Sequence, residues 1–131
     1  MMGLYSDYAV GFLWVLGLLT TTVFAIPLFC VPLQWARRMK WQVPQETDLA
    51  VYFGRCLGAC VLVAEFFIFR SAITGSGLTF TFQLLAAIFS LMMVVHIYGA
   101  LRQIQPITET LEIGFWALLL LAVYLFYPGG L

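Results

Sequence analysis

Residues 49–69, LAVYFGRCLGACVLVAEFFIF, form a stretch that is almost entirely apolar but contains Arg55 and Glu65. About 20 apolar residues are enough for a helix to cross the hydrocarbon core of a bilayer. A charged side chain near the bilayer centre costs about 2.5–3.5 kcal/mol, so such a residue normally faces a partner, a cavity or a ligand. The stretch therefore predicts a membrane-spanning helix whose two charged residues face a partner, a cavity or a ligand inside the protein.

The rest of the 131-residue chain has the same character. It is 63% hydrophobic and 9% charged, with a mean hydropathy of +1.02, whereas ordinary soluble domains are about 25% charged. Three more stretches, residues 8–33, 79–101 and 111–127, have spanning length. Pro27 is expected to kink the first and Pro32 to help end it. We predict an all-α integral membrane protein, a single domain over residues 1–131, with four transmembrane helices in an antiparallel bundle because their connections are short.

Basic residues in the connections predict the orientation. Arg37, Arg38 and Lys40 lie in the first connection and Arg102 in the third, whereas the second has only Arg70. The positive-inside rule places the richer connections in the cytoplasm. Both termini are then expected on the outer side, which is the periplasm if the protein lies in a bacterial inner membrane. The start of the chain lacks the basic region and cleavage site of a signal peptide, so we expect the first stretch to be a spanning helix.

Small residues mark one face of the second helix. Gly54 and Gly58 form a G-x-x-x-G step, and Glu65 continues the same stripe because eleven residues advance a helix by close to three turns. We predict helix packing at the two glycines and an inward-facing Glu65. Glu65 is interpreted either as a packing group or as a proton, ion or ligand site. Arg55 is interpreted either as a side chain that extends to the membrane surface or as a binder of an anionic group.

Two polar residues of the third helix complete the set of ligand-binding candidates, which are Arg55, Glu65, His96 and Gln83. Counting 1.5 Å per residue along each helix, His96 comes to nearly the depth of Arg55, and Gln83 to about the depth of Glu65. The two pairs are therefore candidates for two polar layers. A structural role for His96 is the competing interpretation, because it is the only histidine and a bis-histidine site is excluded.

Other polar residues have simpler interpretations. Glu109 and Glu112 flank the predicted start of the fourth helix, where carboxylates interact favourably with the helix N-terminus. Trp41 is expected in an aromatic belt at the inner membrane surface. The three cysteines are interpreted as packing residues, and no metal site is predicted. No catalytic motif or particular cofactor follows from the sequence, and the net charge of zero argues against a nucleic-acid partner.

Residues 48–58, DLAVYFGRCLG, place an acidic residue, an arginine and two glycines in the second of four helices. In this respect the chain resembles the DoxX-like group of small four-helix membrane proteins. Some members are linked to quinone-dependent redox chemistry, so the resemblance implies an interior site around Arg55. Glu65 and His96 do not map onto a motif of that group.

Two functions of different classes follow from these observations. The first is an accessory or assembly subunit that binds the lipid bilayer, other membrane subunits or copies of itself. The alternative is a membrane-embedded enzyme or proton-coupled transporter with a quinone or lipophilic ligand in a cavity lined by Arg55, Glu65 and His96. The small size favours the first, and the buried ionisable residues favour the second.

Overall fold

The computed structural model describes residues 2–129, and every regular element within them is helical. A 3-10 turn, Ser6–Tyr8, leads into α1, a π-helical turn separates α1 from α2, and four more helices follow. Their bounds are α1 Ala9–Thr20, the π-helical turn Thr21–Ala25, α2 Ile26–Cys30, α3 Pro32–Arg38, α4 Asp48–Thr74, α5 Leu78–Arg102 and α6 Ile107–Phe126. The predicted all-helical class is confirmed.

Within residues 2–129, four helical segments are long and apolar enough to cross a membrane, as the sequence predicted. They are Ser6–Cys30, Asp48–Thr74, Leu78–Arg102 and Ile107–Phe126, with mean hydropathies between 1.7 and 2.2. Much of their surface carries exposed leucine, isoleucine, valine and aromatic side chains. Such a surface is compatible with hydrocarbon as the surrounding solvent.

The first span is irregular in the region where Pro27 was expected to kink it. The π-helical turn, Thr21–Ala25, ends two residues before Pro27, whose ring nitrogen has no hydrogen to donate to the preceding turn. The chain leaves the helix at Val31, with φ −136° and ψ 56°, because the residue before a proline disfavours the helical conformation. Pro32 then begins the short helix α3, which lies partly inside the predicted connection.

The second connection is shorter than predicted. Helix α4 continues to Thr74, five residues past the expected end at residue 69, and stops at Gly75, which adopts φ 66°. Gly77, with φ 73°, immediately precedes α5. Glycine tolerates this left-handed conformation at little cost, so two glycines reverse the chain within three residues. Helix α6 begins at Ile107, four residues before its expected start, directly after Pro106.

The helices pack as two groups that share one core. The first span packs against α4, and α5 packs against α6. Phe12 of α1 joins the groups, since its ring stacks on Phe126 at 5.0 Å and meets Phe82 at 5.6 Å between centroids. The buried core residues are Ala9, Leu13, Leu16, Ile68, Ala72, Phe82, Leu85, Phe89, Trp116 and Val123.

Contacts outside the helices fix the two ends of the molecule. At one end the backbone N–H of Gly3 donates to the carbonyl of Tyr124 at 3.0 Å, so the chain start lies beside the end of α6. At the other end the hydroxyl of Thr108 donates to the carbonyl of Met39. The end of α3 and the start of α6 therefore meet.

Candidate functional site

His96 is the centre of a buried polar cluster on α5. Only 4% of its surface is exposed. Its Nδ1 lies 2.7 Å from the carbonyl oxygen of Met92, one helical turn earlier. A carbonyl can only accept, so Nδ1 carries the hydrogen and donates it. This bond fixes the orientation of the ring and turns Nε2 away from its own helix, toward α6.

Two carboxylates of α6 meet that nitrogen. Oε2 of Glu109 lies 3.0 Å from Nε2 of His96, and Oε2 of Glu112 lies 3.3 Å from it. Glu109 is 8% exposed, while the Glu112 side chain is 22% exposed. Because residues three apart lie on the same face of a helix, α6 presents both carboxylates to α5 together. One imidazole and two carboxylates therefore converge on one point between the helices.

Two tryptophans complete the cluster. The indole N–H of Trp41, in the connection after α3, donates to Oε1 of Glu109 at 2.8 Å. The indole N–H of Trp116 points at Nε2 of His96 from 3.4 Å, and the two rings lie 5.6 Å apart. The first contact fixes the Glu109 carboxylate, and the second encloses the imidazole from the side of α6.

Gln105 stabilises the turn between α5 and α6. Its amide nitrogen donates to the carbonyl of His96 at 3.0 Å and to the hydroxyl of Thr110 at 3.1 Å. Gln103, with φ 54°, ends α5 and allows the tight reversal. These contacts hold α5 and α6 in one register, which is what brings Glu109 and Glu112 level with His96.

The cluster carries excess negative charge if both carboxylates are ionised. Within residues 2–129 the carboxylate contacts of salt-bridge length are the two to His96, whose ring is charged only when protonated, and no lysine or arginine makes such a contact. A buried charge is normally paired or bound to a metal. The cluster therefore has the composition of a cation-binding group, and the three ligand atoms all lie within 4.8 Å of one another.

Glu65 belongs to a separate polar site between α4 and α1. It is 4% exposed, and its Oε1 lies 2.5 Å from the hydroxyl of Thr20. Its second oxygen and the hydroxyl of Thr21 are buried without a hydrogen bond. Thr20 is the last residue of α1 and Thr21 begins the π-helical turn, so the irregular part of the first span faces this carboxyl group.

Arg55 and Gln83 lie at the surface. Arg55 is exposed and lines an open groove with Asp48, Tyr52 and Phe29. Gln83 is exposed and its amide donates to the hydroxyl of Tyr127 at 3.2 Å. No hydrogen bond or ion pair in residues 2–129 joins any two of the four predicted site residues. The two polar layers that were predicted from the depths of these residues are therefore not joined by hydrogen bonds or ion pairs.

The two glycines of α4 lie against the chain's own first segment. A Cβ at Gly58 would stand 2.6 Å from the backbone nitrogen of Phe29, and one at Gly54 would stand 2.6 Å from Cβ of Pro32. Such close approach of backbones is what small residues permit between membrane helices. The G-x-x-x-G step is therefore occupied within the chain, by α2 and the start of α3.

Sequence reasoning missed the partners of His96. Glu109 and Glu112 were assigned to the helix N-terminus. Glu109 does lie in the first turn of α6, but no side chain caps that helix, and both carboxylates contact His96, which the sequence did not predict. One signal was available. His96 lies six residues before the end of α5 and Glu112 five residues after the start of α6, so a tight antiparallel hairpin puts them at the same level.

Comparisons with protein-family models, curated proteins and solved structures found no match. The resemblance of residues 48–58 to the DoxX-like group stays a prediction.

Proposed function

We propose that the protein is an accessory or assembly subunit within a membrane, and that its outer surface binds other membrane proteins or lipids. The supporting observation is how little of each span is buried. Only 17–28% of the most apolar 18-residue stretch of each span is buried within the chain. Four helices of this kind enclose few side chains, and most of their surface meets whatever surrounds them. The surface available for binding a partner is therefore the outer surface of the helices.

A groove beside Arg55 lies on that outer surface. It has a volume of about 560 Å³ and is widely open to the surroundings. Arg55 lies six residues from the middle of α4, about 9 Å along the axis at 1.5 Å per residue. An exposed guanidinium at this depth reaches the membrane interface or an anionic group there. Apart from Arg55 and Asp48 the lining is apolar or aromatic, and the Arg55 guanidinium suits a lipid phosphate or a carboxylate of another subunit.

The alternative, an embedded enzyme or proton-coupled transporter, has less support. It requires Arg55, Glu65 and His96 to line one cavity. Glu65 is hydrogen-bonded to α1, His96 faces α6, and Arg55 is exposed on α4. A lipophilic substrate between these three residues would have to displace the packing that separates them.

The proposed topology has both termini on the outer side of a bacterial inner membrane. The bonds of Gly3 and Tyr5 to the end of α6 support a common location for the two termini. The contact between Thr108 and Met39 supports a common location for the two connections that contain Arg37, Arg38, Lys40 and Arg102. The positive-inside rule then assigns that end to the cytoplasm.

The test is extraction of the full chain from its native membrane in lipid nanodiscs, followed by intact mass measurement and identification of what travels with it. We expect a stoichiometric protein partner or a retained lipid. Arg55→Gln should weaken that association, whereas Arg70→Gln, another exposed arginine of α4, should leave it unchanged. Recovery of the chain with neither a protein nor a lipid in fixed ratio would contradict the proposal.

A further inference from the structure

The contacts of His96 decide which ring nitrogen can act as a ligand. Nδ1 donates its hydrogen to the carbonyl of Met92 at 2.7 Å, because a carbonyl can only accept. Nε2 is therefore the nitrogen that faces α6, and it offers a lone pair to a cation when the ring is neutral. The indole N–H of Trp116, 3.4 Å from Nε2, has to turn aside when a metal ion takes that lone pair.

The lone pair of a neutral Nε2 faces two more sets of lone pairs. Oε2 of Glu109 and Oε2 of Glu112 stand 3.0 and 3.3 Å from Nε2. Three acceptors at these distances repel one another unless a proton or a metal ion lies between them. A single proton would neutralise one of the two carboxylates, whereas a divalent ion would neutralise both.

The distances suit a metal ion. With bonds of about 2.1 Å, neighbouring ligand atoms are about 3.0 Å apart around an octahedral ion and about 3.4 Å apart around a tetrahedral one. The two separations from Nε2 lie within this range, and the third, between the ligand oxygens of Glu109 and Glu112, is within 4.8 Å. The ligands are also fixed from behind, as metal ligands usually are: Met92 holds the imidazole and Trp41 holds the far oxygen of Glu109.

We propose that His96, Glu109 and Glu112 bind one divalent first-row transition-metal ion such as Zn²⁺, Mn²⁺ or Fe²⁺. Imidazole nitrogen suits these ions, whereas Ca²⁺ and Mg²⁺ prefer oxygen ligands alone. Three protein ligands leave at least one coordination position open. The partly exposed Glu112 marks the side from which the ion and a further ligand enter. This site goes beyond the proposed assembly function and does not depend on it.

The test uses the full chain in lipid nanodiscs, freed of metal with a chelator and then titrated separately with Mn²⁺ and Zn²⁺. Electron paramagnetic resonance measures free Mn²⁺, and elemental analysis measures bound Zn²⁺ after gel filtration. We expect about one ion per chain, because the three ligands define a single site. Glu109→Gln and Glu112→Gln should each abolish binding, since an amide is a neutral and weaker ligand.

Two further variants keep the test decisive. Glu65→Gln makes the same change at the other buried carboxyl group and should retain the ion, which separates loss of a ligand from general damage to the fold. Glu112→His replaces one metal ligand by another and should also retain it. Binding of less than about one ion in ten wild-type chains would overturn the proposal. Equal binding by wild type and Glu112→Gln would overturn it as well.

Discussion

Nε2 of His96 lies 3.0 Å from Oε2 of Glu109, and both side chains are at least nine-tenths buried. The two residues belong to different helices joined by a four-residue turn, 103–106. Their contact makes the end of the hairpin between α5 and α6 the most polar part of the buried interior. Its stability therefore depends on how the charge there is balanced.

Removal of a bound metal should destabilise the protein. A ligand that binds only the folded state adds about 2.7 kcal/mol when its free concentration is about 100 times its Kd. We expect the unfolding temperature to fall when a chelator is added to the metal-loaded chain and to recover when Zn²⁺ is restored. Thermal unfolding followed by circular dichroism measures this. In Glu112→Gln the chelator should have no effect, and an equal fall in that variant would contradict the prediction.

Trp41→Phe should weaken metal binding without abolishing it. The substitution removes the indole N–H that donates to Oε1 of Glu109 at 2.8 Å, while Glu109 itself remains. Loss of such a supporting contact typically lowers metal affinity by about 10–100-fold. Titration with Mn²⁺ gives the Kd. Trp35→Phe is the matched control, because Trp35 packs edge-on against Phe24 and is not a partner of Glu109. Similar Kd values for both variants would contradict the role of Trp41.

Glu65→Gln should be tolerated, because hydrogen-bond counting favours a donor at this position. The hydroxyl of Thr20 lies 2.8 Å from the carbonyl of Leu16 and 2.5 Å from Oε1 of Glu65, but it has only one hydrogen. Both contacts are satisfied if residue 65 donates, as a glutamine amide can. We expect the free energy of unfolding to change by less than about 1 kcal/mol. A larger loss, measured by unfolding in detergent, would indicate that the ionised carboxylate is required.

Thr20→Val should be more harmful than Thr22→Val. Thr20 is the hydrogen-bonding partner of the buried Glu65, so valine leaves that carboxyl group unsatisfied at a cost of about 1–3 kcal/mol. Thr22 is exposed, and its hydroxyl donates only to backbone carbonyls of its own helix. Comparing the unfolding temperatures of the two variants isolates the contact with Glu65. Equal temperatures would show that the contact adds nothing to stability.

Gly58→Ala should destabilise the fold. The added Cβ would lie 2.6 Å from the backbone nitrogen of Phe29, and backbone cannot move aside as a flexible side chain can. Overpacking of this kind costs about 1–3 kcal/mol. Gly11→Ala is the control, because no atom lies within 4 Å of the new Cβ and alanine favours a helix by about 0.5–1 kcal/mol. Opposite shifts in unfolding temperature are expected, and a stabilised Gly58→Ala would refute the close packing of α4 on α2.

The hydrophobic pattern of the sequence was enough to predict the four spans and their approximate positions. Their lengths were less predictable, because the pattern stops at the last apolar residue whereas the helix stops where the backbone can turn. Helix α4 illustrates this, since Arg70 and Ser71 remain helical until Gly75 reverses the chain. In the same way, Pro106 and not the first leucine sets the start of α6.

The sequence by itself determined which residues are costly to bury, among them Glu65 and His96. Only the tertiary structure decided what each of them meets, because depth along a helix fixes one coordinate and leaves the rotation about its axis free. That rotation set Arg55 at the surface, turned Glu65 toward Thr20, and brought His96 together with Glu109 and Glu112. The tight turn between α5 and α6 sets the register between the two helices, and the sequence of either helix alone does not determine that register.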